Sequence, residues 1–207
     1  MYKIGYIGNF ETVPQVVEYI INSDIEKLEE EYKKGWDINK KIFIHEFAIE
    51  TPLEIAIQCI KEEVIMWLLE KGVNVKAKID DWGSPISSAG RFLSSDMCEL
   101  LIKHGALENL TKRQYERIFA DIYYGKKFEN IDIFEKYGVT VKKYGNNCLR
   151  EAVYDRNIEL AQMFLDYGAD INYHEYEMVF TDNSTPVMVA VQRNSFKLVK
   201  WLVEKGA

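Results

Sequence analysis

Six glycines recur along the chain at similar intervals, and each follows a short apolar run with helical spacing. They are Gly35, Gly72, Gly105, Gly138, Gly168 and Gly206, which stand 37, 33, 33, 30 and 38 residues apart. The endings resemble one another, as "WLLEKGV" at 67–73 and "WLVEKGA" at 201–207 show. A period of this size is typical of repeat arrays, in which each unit is too small to bury a core alone. The sequence therefore predicts six stacked repeats.

One register fits all six repeats when position 0 is set 21 residues before each glycine. Position +5 is alanine in four repeats, which indicates close packing between neighbouring helices. Position +2 is apolar throughout, at Val16, Leu53, Ile86, Phe119, Leu149 and Val187. Position +14 is also without a polar residue, at Leu28, Ile65, Cys98, Ile131, Ala161 and Val199.

The start of a repeat has the sequence signature of a helix N-terminus. Thr51-Pro52, Ser84-Pro85 and Thr185-Pro186 each place a hydroxyl residue before a proline, which suits an N-cap followed by a first-turn proline. Eight or nine residues later a second apolar-periodic run begins, and it ends at the glycine, which suits a left-handed C-terminal cap. Each repeat is therefore predicted to be a helical hairpin, joined to the next by a turn-rich segment.

These residues resemble the ankyrin repeat family. "TPLEIAIQCIKEEVIMWLLEKGVNV" and "STPVMVAVQRNSFKLVKWLVEKGA" are similar to its TPLHxA…VxxLLxxGAxxN pattern, and "LAQMFLDYGADIN" has its GADxN ending. The resemblance covers roughly residues 10–207 and implies an all-α solenoid of about six helix-turn-helix units with β-hairpin fingers. Tetratricopeptide and HEAT solenoids fit less well, because they lack this turn segment. The histidine of the family pattern is replaced by Glu54, Ser87, Arg150 and Met188.

We expect a single domain over 1–207, with repeats at approximately 10–39, 40–76, 77–109, 110–142, 143–172 and 173–207. The fourth repeat has no Thr-Pro start. There "TKRQYERIFADIYYG" predicts a helix capped by Thr111 and a shortened or missing finger. The same repeat is expected to be the least stable. In the last helix we expect Phe196, Val199 and Val203 to face inward.

Two connecting segments are longer than the others and contain His-Glu-aromatic. They are "KKIFIHEFAIE" at 40–50 and "YHEYEMVFTDNS" at 173–184. The alternation of Ile42 and Ile44 with Phe43 and His45 predicts a β-hairpin with two unlike faces. Both segments are predicted to be lengthened fingers that contact a partner or, alternatively, only cover exposed helix faces.

Charge and hydropathy exclude several classes of protein. The chain has 26 basic and 33 acidic residues, a formal net charge of -7, and no basic stripe, which argues against nucleic acid as a partner. We expect no membrane span, because no run approaches the roughly 18 apolar residues that one needs. The three cysteines, Cys59, Cys98 and Cys148, are odd in number and widely spaced, which suits a reducing compartment. We therefore expect a cytoplasmic monomer.

Catalytic and metal-binding patterns are weak in this sequence. His45-Glu46 and His174-Glu175 begin like a zincin helix, but Ile49 and Met178 stand where the second histidine would be. Asp80-Asp81 is an adjacent acidic pair in a turn-rich segment, where acidic residues are ordinary. We therefore predict no catalytic residues, no metal and no cofactor, and keep an enzyme on a degenerate repeat scaffold as the least favoured alternative.

The resemblance also implies where a partner would bind. In ankyrin-like repeats the variable contact positions lie just before position 0 and at about +7 and +8. We carry these positions over residue by residue and add the two long fingers, and together they predict a set of partner-binding residues. The aromatic residues of this set either form a stripe at the interface or pack between repeats. The set is Gln58, Trp82, Arg91, Phe92, Tyr124, Tyr144, Tyr154, Asp155, Gln192, Arg193, His45 and His174.

The predicted function is therefore that of a protein–protein interaction module that binds a macromolecular partner on its concave and finger surface. Trp, Tyr and Arg dominate the energetics of many interfaces, and the carried-over positions are rich in them. One alternative within the binding class is an acidic immunity or inhibitor protein that neutralises a basic toxin or nuclease.

Overall fold

Paired helices make up most of the chain. The computed structural model describes residues 14–45, 48–77, 83–175 and 183–207. The chain divides into two compact units, Met1–Asn130 and Ile131–Ala207. The first unit contains α1 (Gln15–Asn22), α2 (Ile25–Lys33), β1 (Ile42–His45), β2 (Ala48–Glu50), α3 (Pro52–Gln58), α4 (Glu62–Glu70), α5 (Pro85–Phe92), α6 (Ser95–Lys103), α7 (Lys112–Gly125) and a 3₁₀ turn (Phe128–Asn130). The second contains α8 (Ile131–Lys136), α9 (Val141–Tyr144), α10 (Asn146–Tyr154), α11 (Ile158–Asp166), α12 (Pro186–Gln192) and α13 (Phe196–Glu204).

The predicted helix starts are confirmed. The Thr51 hydroxyl accepts a hydrogen bond from the Glu54 amide at 3.2 Å, and Pro52 occupies the first turn, where its missing N–H costs no hydrogen bond. Ser84 and Thr185 cap α5 and α12 in the same way. Thr111 forms a reciprocal capping box with Gln114 at the start of α7.

The predicted helix ends are also confirmed. All six glycines have positive φ, between +78° and +103°, a region that an L side chain rarely adopts. After α4 the Gly72 amide donates to the Leu69 carbonyl and the Val73 amide donates to the Leu68 carbonyl, both at 3.0 Å. These two bonds satisfy carbonyl groups that would otherwise lack a hydrogen bond at the helix end. The same pair of bonds recurs at the other five glycines.

Packing within each unit follows the predicted register. In the first unit α3 packs against α1 and α5, and α5 packs against α7; in the second, α10 packs against α12. The alanines at position +5 lie in these contacts and have no exposed surface: Ala56, Ala89, Ala152 and Ala190. Position +14 is buried in five repeats and half-buried at Val199, and position +2 is half-buried only at Val16 and Val187.

The connections between hairpins differ from one another. Residues 105–110 form turns only, so the predicted loss of the finger before Thr111 is confirmed. β1 and β2 pair antiparallel, with Phe43 opposite Ile49, which confirms the predicted β-hairpin in the first long segment. Its faces are unlike, since Ile42 is 5% exposed and Phe43 is 68% exposed. The corresponding predictions for the second long segment concern mainly residues 176–182, which lie outside the described residues.

Two predictions about side-chain placement are wrong. Tyr144, as a contact position just before position 0, implies a finger at this point, but it ends the short helix α9, because the segment after Gly138 is too short for a hairpin and buries Val141 instead. In α13, Phe196 and Val203 are 81% and 57% exposed, whereas Leu198 and Leu202 are buried. The buried pair stands at positions +13 and +17. In α4 and α6 these two positions are buried as well, at Val64, Leu68, Met97 and Leu101.

The contact between α5 and α7 is unusually close at Gly125. A Cβ atom added to this residue would lie 2.3 Å from the carbonyl oxygen of Arg91. Real Cβ atoms are not found at such distances from backbone oxygen, so glycine is required here by the neighbouring helix rather than by φ. The small side chain of Ala89 allows the same two helices to approach.

We expect Ala89→Leu to lower the free energy of unfolding by about 1 to 3 kcal/mol, because the added methyl groups have no space between the helices. Chemical denaturation followed by circular dichroism measures this change. Glu63→Leu, at an exposed site on α4, is the matched control and should change stability little. An Ala89→Leu variant as stable as the parent would show that the register of the stack is wrong.

We expect Gly125→Ala to destabilise the protein by about 1 to 3 kcal/mol, since its methyl group would overlap the Arg91 carbonyl. In an open helix the same change would stabilise by about 1 kcal/mol, so the sign of the effect is diagnostic. Gly35→Ala is the control, because a Cβ there meets nothing within 4 Å and only the positive φ opposes it. A Gly125→Ala variant more stable than the parent would contradict the close contact.

Candidate functional site

The candidate site in each unit, taken by itself, consists of positions +7 and +8 at the C-terminal ends of the first helices, and we call these positions the ridge of that unit. In the first unit the ridge contains Gln58 of α3, Arg91 and Phe92 of α5, and Tyr124 and Gly125 of α7. In this unit α3 packs against α5, and α5 packs against α7, so the three helices lie side by side in this order. In the second unit the ridge contains Tyr154 and Asp155 after α10, and Gln192 and Arg193 after α12.

Arg91 is held in place by its neighbours. Its guanidinium lies 5.3 Å from the centroid of the Phe92 ring, and its Nη1 atom lies 3.7 Å from Asp121 Oδ1. Arg117 Nε donates to the other carboxylate oxygen of Asp121 at 2.9 Å. The side chain of Asp121 is 5% exposed, and this burial raises its pKa above the ordinary value although both arginines oppose the shift. A buried carboxylate therefore orders two half-exposed guanidinium groups on the first unit.

The half-exposed ring of Tyr124 packs on the buried ring of Tyr123. It is 49% exposed, and its ring meets the Tyr123 ring nearly at right angles, with centroids 5.8 Å apart. Tyr123 is 6% exposed and makes a similar edge contact with Phe128 at 6.1 Å. Edge-to-face packing of this kind orders rings, so Tyr124 keeps a large exposed area at a small cost in conformational entropy.

Tyr154 presents the corresponding ring in the second unit. It is 43% exposed, and the Arg193 guanidinium carbon lies 4.2 Å from its centroid. Arg156 donates from Nη2 to the backbone carbonyl of Arg193. Gln192 donates from its side-chain amide to Ser184 Oγ at 3.1 Å. The Tyr154 ring and the Arg193 guanidinium therefore hold each other in place.

The structure brings some predicted residues together and separates others. Arg91 contacts Phe92, and Tyr154 contacts Arg193. Tyr144 lies on α9, where the Lys143 ammonium is 5.0 Å from its ring centroid. His174 is exposed, with Nδ1 3.0 Å from the Asn172 carbonyl oxygen. The side chain of His45 and the whole of Trp82 lie outside the described residues.

Three charged residues that contact ridge residues, directly or through one another, were not predicted from the sequence. Arg117 and Asp121 are four residues apart, which is a recognisable helical pairing, but nothing in the sequence shows that Asp121 also reaches Arg91 on another helix. Arg156 stands at position +9, one place beyond the expected contact positions. It has a positive φ, 59°, after the end of α10, and its Nη2 atom donates to the backbone carbonyl of the ridge residue Arg193.

Other chemistry has little support in the described parts of the chain. Over these residues no group of three or more His, Cys, Asp or Glu side chains could hold a metal ion. Burial raises the pKa of the Cys98 thiol to about 12, which keeps it protonated and unreactive. None of the described helices is both long enough and apolar enough to cross a membrane.

Comparisons with known proteins agree with the geometry of the hairpins. Residues 129–207 match the family model described as ankyrin repeats (3 copies). The ankyrin repeat protein FPV031 of fowlpox virus (strain NVSL) is 27% identical over 150 residues, which is 68% of this chain and 43% of FPV031. Rabankyrin-5 of Mus musculus is 29% identical over 163 residues, which is 76% of this chain and 14% of Rabankyrin-5. The chain thus spans less than half the length of these relatives.

A solved structure supports the same fold. A chain from the complex of the Bd0816 predatory endopeptidase of Bdellovibrio bacteriovorus with immunity protein Bd3460 matches with a TM-score of 0.65 at 20% identity. The match covers 91% of this chain and 96% of that chain, and at this identity it shows the fold alone. Residues 129–207 thus match ankyrin repeats, and the chain is similar to ankyrin repeat proteins in its sequence and in its capped helical hairpins.

Proposed function

We propose that this chain binds a partner protein through the ridge and has no chemistry of its own. Ankyrin repeats are protein–protein interaction modules, and the proposal assigns that role to particular side chains. The observation that carries it is the pair of half-exposed tyrosines, Tyr124 and Tyr154, which occupy the same position +7 in different repeats. Such rings are costly to leave in water and are among the residues that contribute most to interfaces.

The order of the ridge supports the proposal. Side chains that are already immobilised lose little conformational entropy on binding, so more of the contact energy appears as affinity. Arg193 is stacked on Tyr154, and Arg91 is held by Asp121. Aromatic rings and guanidinium groups offer apolar area and hydrogen-bond donors together, which suits a partner surface that has carboxylates beside apolar groups.

A narrower candidate is an immunity or inhibitor protein that covers a basic toxin or nuclease. Two observations favour it: the formal net charge of -7, which would steer a basic partner towards the chain, and the similarity of fold to a chain from an endopeptidase–immunity protein complex. The ridge holds two arginines, Arg91 and Arg193, and one acidic residue, Asp155, so most of the acidic residues that meet such a partner would lie beside it. The association of this candidate should weaken steeply with rising salt.

The class of partner, the location and the oligomeric state are also part of the proposed function. The partner is neither a nucleic acid nor a membrane, because the Lys residues are interleaved with Asp and Glu rather than gathered in one stripe. We propose a cytoplasmic location and a monomeric state for the free protein. The ridge residues Gln58, Asp155 and Gln192 contribute polar contacts around the aromatic ones.

We expect the double variant Tyr124→Ala, Tyr154→Ala to weaken partner binding by at least about 2 kcal/mol while the fold is kept, because both rings are half-exposed. The tagged parent first captures its partner from a lysate of the source organism, and calorimetry then measures the affinity of each variant for the purified partner. Tyr137→Ala is the matched control, since Tyr137 is 36% exposed but lies outside the ridge.

Equal affinity of the double variant and the parent would remove the ridge from the binding site. A double variant that unfolds would show instead that the rings are structural. If the captured partner is basic and its enzymatic activity is blocked by the parent chain, the narrower candidate is supported.

A further inference from the structure

The helix α7 begins earlier in its repeat than α3, α5 and α12 begin in theirs. In those three helices the N-cap stands at position 0, as Thr51 does for α3. In α7 the N-cap is Thr111, six residues before position 0, and the turns at 105–110 take the place of a finger. Position 0 of this repeat therefore lies within the helix, and it is occupied by Arg117 rather than by a capping residue.

The early start of α7 places a basic side chain on the same helix face as the ridge residue Tyr124. Arg117, Asp121 and Tyr124 are four and three residues apart, so they share one face of the helix. The Arg117 side chain is 46% exposed and Tyr124 is 49% exposed, whereas the Asp121 side chain is 5% exposed. Arg91 of α5, 40% exposed, reaches the same carboxylate at 3.7 Å. The exposed part of this face therefore consists of two guanidinium groups beside an aromatic ring.

The arginine pair, Arg91 and Arg117, can bind a further anion although both residues already contact Asp121. The Oδ1 atom of Asp121 is buried, so a partner meets the guanidinium groups rather than the carboxylate. A guanidinium has five N–H donors, and each of these two is at least 40% exposed, so each can donate to another oxygen. Two guanidinium groups and one carboxylate leave one positive charge, which matches a carboxylate better than a phosphate group with about two negative charges.

The distance from the arginine pair to the Tyr124 ring specifies the spacing of the partner's residues. The guanidinium groups meet at Asp121, which precedes Tyr124 by three residues, or about 4.5 Å along the helix axis. In an extended segment, residues i and i+2 point to the same side and stand about 6.6 Å apart. One side chain of such a segment can therefore contact the arginine pair while the second next contacts the ring. Adjacent residues point to opposite sides and cannot make both contacts.

We infer that the first unit binds an extended acidic segment of its partner protein, in which Asp or Glu contacts the arginine pair and an apolar residue two places away packs on Tyr124. Guanidinium groups bind carboxylates through charge-assisted hydrogen bonds, which are stronger than neutral ones. Asp121 holds both arginines and Tyr123 supports the Tyr124 ring, so little conformational entropy is lost on binding. The inference rests on the proposed function, since it names the chemistry of the segment that this ridge binds.

A short peptide tests the inference on the full chain by NMR titration. The probe is acetyl-Gly-Ser-Glu-Gly-Phe-Ser-Gly-amide, in which Glu and Phe stand two places apart. We expect it to shift the side-chain Nε–H signals of Arg91 and Arg117 and the backbone amide signal of Tyr124. A peptide with Gln in place of Glu should bind at least about fivefold more weakly, because the charge-assisted bonds are lost. A peptide of the same composition with Glu and Phe adjacent should bind at least about twofold more weakly.

We expect Arg91→Gln to weaken binding of the Glu peptide at least about fivefold, because one guanidinium group of the pair is removed. Arg117 still donates to Asp121 at 2.9 Å in this variant, so the buried carboxylate keeps a hydrogen bond and the fold should be kept, which circular dichroism checks. Lys33→Gln is the matched control, since it removes one positive charge from a side chain that is 73% exposed on α2. If Arg91→Gln unfolds, the comparison of the Glu and Gln peptides on the parent still decides.

Equal binding of the Glu and Gln peptides would overturn the inference, as would a titration in which the Arg91 and Arg117 signals do not move. A phosphoserine peptide that binds at least about tenfold more tightly than the Glu peptide would also overturn it, because the pair would then be a phosphate site. Affinities for the captured partner separate this inference from the proposed function. If the Tyr124→Ala, Tyr154→Ala variant weakens that binding and Arg91→Gln does not, the ridge stands and the acidic segment is wrong. If neither change weakens it, both proposals are wrong.

Discussion

The close packing of neighbouring first helices is the contact on which the rest of the structure depends. A helical hairpin of this size has too little apolar surface to fold alone, so it must bury one face against the next hairpin. Alanine at position +5 lets the helix backbones approach, and the four such alanines have no exposed surface. At Gly125 the approach is so close that even a methyl group would overlap the neighbouring carbonyl. Helix caps and glycine turns set where each helix begins and ends, and the small residues determine how near the helices come.

The same packing explains why the candidate site is ordered. The first helices pack side by side within each unit, so their C-terminal ends are held in a row by residues that belong to the core. Tyr124 rests on the buried ring of Tyr123, and Tyr154 is covered on one side by Arg193 from the next helix. The proposed binding surface and the fold therefore share one set of contacts.

Polar contacts across the hairpins favour one register of the stack, which apolar packing alone would not specify. Arg150 is fully buried at position +3, and its Nη1 atom donates to the carbonyl oxygens of Glu175 and Ser184, so it ties the two described ends of the second long segment to α10. Asn130 has a related role in the first unit, where it donates to the carbonyls of Gly90 and Leu93. Each of these groups is costly to bury without its partner, which disfavours a shifted register.

By itself the sequence determined the features that depend on local chemistry and on a period. Thr-Pro starts, glycine ends and the apolar positions of the register follow from backbone geometry and burial, which act within a few residues, and all of them predict the observed hairpins. The sequence also determined which residues stand at the ridge positions, because these positions are defined by the register and by the family resemblance. Tertiary structure decided the rest. The wrong prediction for Phe196 and Val203 arose because an apolar residue on a helix has several directions in which to be buried, and only the neighbouring helices select one. The same holds for Asp121, whose contact with Arg91 joins two helices at a distance that spacing along the chain does not specify.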